Sequence, residues 1–369
     1  MIEQFTHLEH LIRPFVSRVI PNKLLIAAFS KSRGTYLKSL AAYAQKMPVY
    51  PAIEYKQTLF KSNLIFRNDL ANAAGFDKDG KLLEFNYKLG AGYAVVGTVL
   101  SEAFSGNQKS SPLGKINPWV SLPGSKAAIN SLGLPNSGVS QVVENIKKFK
   151  DKYSLEDFPI GASLMVHPAH EPQQQLDGIL RSFELLAPFV DFFEINESCP
   201  NCEHDDSQSE LRQRLENIIS LRDSQASYLP VLVKLRNIGD ANHTVKFFDT
   251  LNLDGLVLTN TQTNYGDMQS KIKLAEQKLY KNYTENFNGG VSGKPIHDFA
   301  LEQIKSANQA ILSADSKLKL IHVGGIYNAK DMIESRQINQ DVVCLRQWYT
   351  GLMDQLGADP WSEAYSLVK

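Results

Sequence analysis

The residues best suited to chemistry are Asn196-Glu197-Ser198-Cys199-Pro200-Asn201, at the end of an apolar run from Asp191 to Ile195. Two carboxamides, a hydroxyl, a thiol and a proline have little use inside a sheet. They suit a strand end that opens onto a ligand, which is where a parallel barrel carries its chemistry. Cys199 and Cys202 admit three readings. The Cys-Pro-Asn-Cys pair can cycle between dithiol and disulfide. It can hold zinc, with His204 the nearest further ligand. Or Cys199 alone can act as a base, because a thiol whose pKa is near neutral can remove a proton from carbon; Cys202 is then incidental. Asn196 and Asn201 would hold a planar, amide-rich substrate beside it.

Two lysines also need a reason. Lys234 ends an apolar strand, Pro230 to Leu235, and a buried ammonium is costly unless paired. A bound anion, or a cofactor that becomes anionic, supplies a partner. Lys78 lies in the turn Gly75-Phe76-Asp77-Lys78-Asp79-Gly80, where a solvated lysine beside Asp77 or Asp79 is the plainer account. Gly324-Gly325 and Thr350-Gly351 follow the last two strands, the usual phosphate site of such barrels. Gly289-Gly290-Val291-Ser292-Gly293 can add amide donors. A double glycine is also a common tight turn; the Thr-Gly after the next strand is what favours phosphate. The strand ends carry no paired carboxylates for glycoside chemistry, no His-rich metal set and no Ser-His-Asp order, so no metal is expected.

These residues are delivered by an alternation of strand and helix. Candidate strands are Leu70 to Ala74, Tyr93 to Gly97, Ile160 to Leu164, Phe192 to Ile195, Val231 to Leu235, Gly255 to Thr259, Leu318 to Val323 and Val342 to Leu345. Helical patterns fall between most of them: Lys81 to Leu89, Val139 to Lys150, Gln174 to Leu186, Ser207 to Ala226, His243 to Leu251, Ile296 to Leu312 and Ala329 to Ser335. Such alternation implies a parallel sheet, and eight repeats imply an α/β fold, a closed (β/α)8 TIM barrel. An open doubly wound sheet is the alternative, weakened because no Gly-rich dinucleotide fingerprint follows the first strand. Residues 55–60 and 63–66 read as a hairpin closing the bottom of the barrel. Residues 100–138 and 260–293 read as long polar connections, which inside a compact domain are usually functional.

The 369-residue chain is 43% hydrophobic and 21% charged, ordinary for a globular protein. Its net charge of zero points to no nucleic-acid partner. Three cysteines, two of them in one motif, suggest a reducing compartment. No run of about 18 apolar residues marks a membrane span. Residues 1–50 stand apart from the barrel region 51–369. They hold seven Lys or Arg against two acids, so this segment is +5 and the remainder −5. Phe5, Leu8, Ile12, Phe15, Val16 and Val19 recur near a helical period. Leu24, Leu25, Ala28 and Phe29 begin a second helix that Tyr36, Leu37, Leu40, Ala41 and Ala44 continue or restart. From pattern alone the segment reads as a cap packed on the barrel, with solvated lysines. Basic amphipathic helices also suit an anionic membrane surface.

The chain resembles the dihydroorotate dehydrogenases, FMN-dependent (β/α)8 enzymes of pyrimidine synthesis. The resemblance runs from about Tyr55 to the C-terminus. It rests on blocks occurring together in the family's order: Ala73-Ala74-Gly75-Phe76-Asp77-Lys78, Gly97-Thr98-Val99, Ile129-Asn130-Ser131-Leu132-Gly133-Leu134-Pro135-Asn136, Asn196 to Asn201, Val233-Lys234, Thr259-Asn260-Thr261, Gly289 to Pro295, and Val323-Gly324-Gly325. It implies an FMN across the barrel mouth. Its ring would be contacted by Ala74, Gly75, Lys78, Thr98, Ser163, Asn196, Lys234 and Thr259, its phosphate by Gly293, Gly325, Tyr349 and Thr350. Lys234 would stabilise negative charge on the reduced flavin. Dihydroorotate would be gripped by Lys78, Asn130, Ser131, Leu132, Gly133, Leu134, Asn196, Asn201, Asn260 and Thr261. Cys199 stands at the position of the base, taking a proton from C5 while hydride leaves C6 for the flavin, with Lys78 as the second catalytic group.

Some blocks depart from the family pattern. The N-terminal segment and Phe76-Asp77-Lys78-Asp79-Gly80 resemble the membrane-associated, quinone-using class, in which serine is usual at the position of Cys199. Cysteine there, and Leu132-Gly133-Leu134-Pro135-Asn136, resemble the soluble class that reduces fumarate or NAD. Ser163 stands where an asparagine is usual, Arg236-Asn237 replaces the usual stretch after Lys234, and residues 336–348 fit the final strand loosely. The expected reaction is dihydroorotate to orotate with quinone as acceptor, in the cytoplasm or peripherally on the cytoplasmic face of a membrane, which residues 1–50 contact. The alternatives are fumarate- or NAD-linked chemistry, a tRNA dihydrouridine synthase, disfavoured by the −5 barrel, and a non-catalytic descendant that binds without turnover.

Overall fold

The computed structural model describes residues 2–51, 56–60, 62–197 and 208–368. Eight strands, β1 (Leu70–Asn72), β2 (Ala94–Val99), β3 (Ile160–Leu164), β4 (Phe192–Asn196), β5 (Val231–Leu235), β6 (Gly255–Leu258), β7 (Lys319–Val323) and β8 (Val343–Trp348), form one parallel sheet. Its order is β1-β8-β7-β6-β5-β4-β3-β2. Each strand falls on an apolar run named above; β8 runs on to Trp348, beyond the expected Leu345. The last gap, β1 to β2, is bridged by polar groups. Asn72 Nδ2 donates to the Val95 carbonyl (2.7 Å), the Val95 amide donates back to Asn72 Oδ1 (3.3 Å), and the Gly97 amide donates to the Asp77 carbonyl (2.8 Å). The result is the expected (β/α)8 TIM barrel.

The strands read as continuous apolar runs because both faces are buried. Tyr93, Val95, Phe192, Leu232, Val257 and Ile321 fill the barrel. Phe193, Ile195, Val231, Val233 and Leu256 point outward into the layer beneath the helices. Phe66, Tyr93 and Phe192 stack edge-on or tilted, with centroids 5.4 to 6.5 Å apart. Phe66 belongs to the hairpin of Gln57–Leu59 and Leu64–Phe66, which covers the N-terminal end of the barrel as the sequence suggests.

All seven expected helices are present, with bounds shifted by a few residues. The two long connections, however, are not plain loops. Trp119–Leu122, Ala127–Asn130 and Gly290–Gly293 pair as a three-stranded antiparallel sheet at the mouth. The second connection also holds the helices Tyr265–Ser270 and Gln277–Phe287. Met268, Leu279, Tyr280 and Tyr283 on those helices bury against Trp119, Val120, Ile129 and Val291 of the small sheet, forming a second core. A clamp joins the two connections. The Glu276 carboxylate accepts from the Gly124 and Ser125 amides (both 2.8 Å) and from the Ser125 hydroxyl.

The N-terminal segment forms helix α1 (Ile2–Val19) and helix α2 (Asn22–Ala44), the latter continuous. Helix α2 packs on the barrel region. Leu25, Ile26 and Phe29 enter the second core, while Leu40 and Ala44 enter the outer barrel core. Lys88, buried beside Glu84 (3.0 Å), donates to the Ala44 carbonyl (2.8 Å) and fixes the end of α2. Helix α1 lies against α2 and against the helix Thr350–Ala358 that follows β8. Phe5, Leu8, Phe15 and Val19 do not form a packed stripe; they are 57 to 82% exposed. Among the described residues no helix is long and apolar enough to cross a membrane.

Candidate active site

The C-terminal ends of the strands open into a cavity of about 1080 Å³, measured out to its mouth. The barrel turns inner-face residues at the strand ends toward this space. Asn196 ends β4 and Lys234 lies on β5; the two are register partners. Asn196 Nδ2 donates to Thr98 Oγ1 (2.9 Å), and Thr98 Oγ1 lies 3.3 Å from Ser163 Oγ, so three neighbouring strands share one polar row. The Lys234 ammonium, 3% exposed, sits 3.3 Å from Glu194 Oε1 on β4. The acid meets the burial requirement that the sequence assigned to a bound anion. Glu194 was legible in principle: it is an acid in an apolar strand, two residues before Asn196 and therefore on the same face.

Lys78 also lines the cavity. Its flanking aspartates build the turn instead of solvating it. Asp77 accepts from the Leu82 amide (3.0 Å), and burial, with Asp79 nearby, pushes its carboxyl up to about 7. Asp79 accepts from Asn136 Nδ2 (3.1 Å) and from the Ser137 amide (2.9 Å). Asn130, at the end of a strand of the small sheet, faces the cavity with Leu132, Gly133 and Leu134; Asn260 and Thr261 face it from beyond β6. Ala74 and Gly75 form part of the rim. Gly75 has φ +97°, and a Cβ placed there would meet nothing within 4 Å, so this backbone faces open space.

At the far end Gly293, Gly325, Tyr349 and Thr350 converge. Thr350 begins a nine-residue helix, and Ser292 Oγ lies 2.9 Å from its hydroxyl. The glycines are required by protein packing in their own right. A Cβ on Gly325 would fall 2.2 Å from His297 Cα, and one on Gly293 2.3 Å from the Lys126 carbonyl. Behind Gly325, His297 and Asp331 lie together with Glu334, and the Lys294 ammonium already occupies Asp331 at 2.5 Å.

Not every expected residue reaches the wall. Ser163 is fully buried behind Thr98. Thr259 is fully buried and donates to the Val323 carbonyl (3.1 Å), and Ser131 is 5% exposed; none of the three lines the cavity. Their neighbours in sequence, Asn130, Leu132, Asn260 and Thr261, do reach it. Cys199, Asn201 and Cys202 lie outside the described residues; Glu197, just before them, is held by Arg214 through two contacts of 3.0 and 2.9 Å. Trp119, Ile296 and Gln347 line the cavity without having been singled out. Arg33 of α2 also reaches its rim, donating to the Tyr349 hydroxyl (2.7 Å) and the Gly75 carbonyl (3.2 Å).

The family model for dihydroorotate dehydrogenase matches residues 57–354. A protein of Synechocystis sp. named dihydroorotate dehydrogenase (quinone) is 30% identical over 291 residues, 78% of this chain and 72% of its own. One of the same name from Christiangramia forsetii is 28% identical over 358 residues, covering 93% of both chains. The crystal structure of DHODH from Eimeria tenella in complex with ferulenol superposes with a TM-score of 0.68, at 19% identity, over 88% of this chain and 89% of its own. The barrel, the ordered blocks at its strand ends and this match over most of their length lead to one conclusion: the chain belongs to the dihydroorotate dehydrogenase family.

Proposed function

We propose that the chain oxidises dihydroorotate to orotate with bound FMN and passes the electrons to a quinone. The carrying observation is the convergence of Lys78, Asn130, Asn196, Lys234, Asn260 and Thr261, from separate elements, on one cavity. The donor set fits FMN. Gly325, Gly293 and the N-terminus of the Thr350 helix offer amides and a favourable dipole for a phosphate. The Thr98–Asn196 row and Lys234 present donors to the polar edge of a ring, and the open face of Gly75 lets that ring lie close to backbone. FMN, when bound, supplies a two-electron acceptor for the hydride from C6. The chain's own groups do the rest. Lys78 and the carboxamides of Asn130, Asn196 and Asn260 orient a planar anionic pyrimidine. Cys199, three residues beyond Asn196 in the sequence, takes the C5 proton, and Asn201 helps to grip the substrate.

The acceptor reading rests on a second cavity, about 1410 Å³ out to its opening, between α1 and α2. Its wall is mostly apolar, with Ile2, Phe5, Phe29, Leu113 and Met353, and Trp119 belongs to both cavities. Arg33 lies at the seam, lining this cavity while bonding to Tyr349 and Gly75 of the first. An apolar acceptor suits this wall better than fumarate or a dinucleotide does. The exposed apolar side chains of α1 would lie on the membrane surface in which such an acceptor dissolves.

An anaerobic titration with dihydroorotate, following visible flavin absorption, tests the reaction. Bleaching, then recovery on adding a soluble quinone but not fumarate or NAD, is the expected result. A yellow protein that does not bleach removes the substrate. A colourless protein that cannot be loaded with FMN removes the cofactor and leaves the non-catalytic alternative.

A further inference from the structure

We propose that Glu194 is a positioning residue that sets how strongly the floor of the flavin site attracts negative charge, by acting as the fixed counter-charge of Lys234. The inference rests on the FMN reading above. Phe192, Glu194 and Asn196 occupy the inner face of β4 in successive layers, and the Asn196–Lys234 register puts Glu194 one layer below the lysine. Its side chain is fully buried, and Oε1 lies 3.3 Å from Lys234 Nζ. Its other oxygen accepts from Gln347 Nε2 (3.1 Å), which reaches in from β8. Among the described residues Oε1 receives no hydrogen bond, so the contact with the lysine is one of charge more than of directed bonding.

Stability is a poor reason for such a pair. A buried ion pair is often no better than apolar residues of the same volume, and the barrel interior around it is already filled by Phe192, Leu232 and Val257. Charge at the cavity floor is a better reason. Lys234 lines the cavity and Glu194 does not. A bare ammonium in this low-dielectric space would hold an anion strongly. With Glu194 behind it, the floor is a dipole whose positive end faces the ligand. Lys234 still orients an anionic edge, but reduction of the cofactor, which adds negative charge there, is favoured less. A flavin that must hand its electrons on needs that restraint; a floor with the lysine alone would tend to keep them.

The test is Glu194→Gln in the FMN-loaded, full-length protein, with two readouts besides turnover: the midpoint potential of the bound flavin and its affinity for sulfite, an anionic probe of flavin sites. Loss of one nearby charge should make the potential more positive and tighten sulfite binding by at least about tenfold. Glu194→Asp, which keeps the charge, should return both toward wild type. A folded, flavin-loaded Glu194→Gln protein with wild-type potential and sulfite affinity overturns the inference and leaves the FMN reading intact. If neither Glu194→Gln nor Glu194→Leu retains FMN, the pair is needed to build the site and the tuning role is overturned. A wild-type protein that takes up no FMN overturns the cofactor reading, and this inference with it.

Discussion

The two cavities that meet at Trp119 are built by different means. The barrel mouth gathers polar side chains from many separate strand ends, each fixed by a hydrogen-bonded sheet with both faces buried. The N-terminal cavity is enclosed mainly by two helices and one loop, and α1 buries little of its outer apolar face. The first arrangement can hold a reacting atom in place. The second can admit a flexible apolar molecule and let it go. A two-substrate oxidoreductase needs both, and the comparison predicts that damage to one will leave the other working.

The largest expected effect is at the mouth. Cys199→Ala should retain flavin and lower its reduction by dihydroorotate by about 10²–10⁴-fold, while chemically reduced flavin is still reoxidised by quinone at the wild-type rate. Cys202→Ala should stay active; equal losses in stopped-flow traces of both variants would point to a redox pair instead. The complementary break removes α1. Deleting residues 1–20 should abolish steady-state quinone reduction but spare anaerobic bleaching. Unchanged quinone turnover would detach the second cavity from function. Deletion through residue 50 is a poorer test, because Leu40 and Ala44 of α2 belong to the barrel's outer core.

Smaller effects sharpen the contrast. Lys234→Met leaves Glu194 charged and buried without its partner, and should cost about 3–5 kcal/mol in urea unfolding. Arg33→Leu, at the seam, should raise KM for quinone by roughly tenfold, the loss of about one charge-assisted hydrogen bond, and change KM for dihydroorotate less. The smallest is a pH effect in the barrel wall. Burial, with Arg346 and His297 adding, pushes His322 down to about 3, so it stays neutral in the fold while an unfolded histidine charges near 6.5. Its contribution is complete above that value and is lost as pH falls from about 6.5 toward 3. The Tm advantage of wild type over His322→Gln should therefore shrink between pH 7 and 5 in calorimetry.

How much of this was legible follows from the same contrast. The barrel strands declared themselves because burial on both faces leaves long apolar runs, and the blocks at their ends located the cavity. The small sheet did not, because strands such as Trp119–Leu122 are short and mix polar with apolar residues. The helix Gln277–Phe287 was hidden for a related reason. Leu279, Tyr280 and Tyr283 bury one face, but the intervening Lys, Asn and Glu make the segment look like a polar connection. Lys234 was legible but its pairing with Glu194 was not, because that depends on the register between β4 and β5, which neither strand's own pattern shows. Ser163 and Thr259 match the family blocks by position, but Ser163 lies behind Thr98 and the Thr259 hydroxyl bonds the Val323 carbonyl, neither of which a sequence displays.

The grip of Glu276 on the turn at Gly124 and Ser125 has a consequence for the order in which the molecule is made. The two partners are separated by 151 and 152 residues in the chain. During synthesis, which proceeds from the N-terminus, six barrel strands emerge before Glu276 does. The roof of the mouth thus cannot be fastened until most of the chain has been made, and strands β7 and β8, which complete the barrel beneath it, emerge later still.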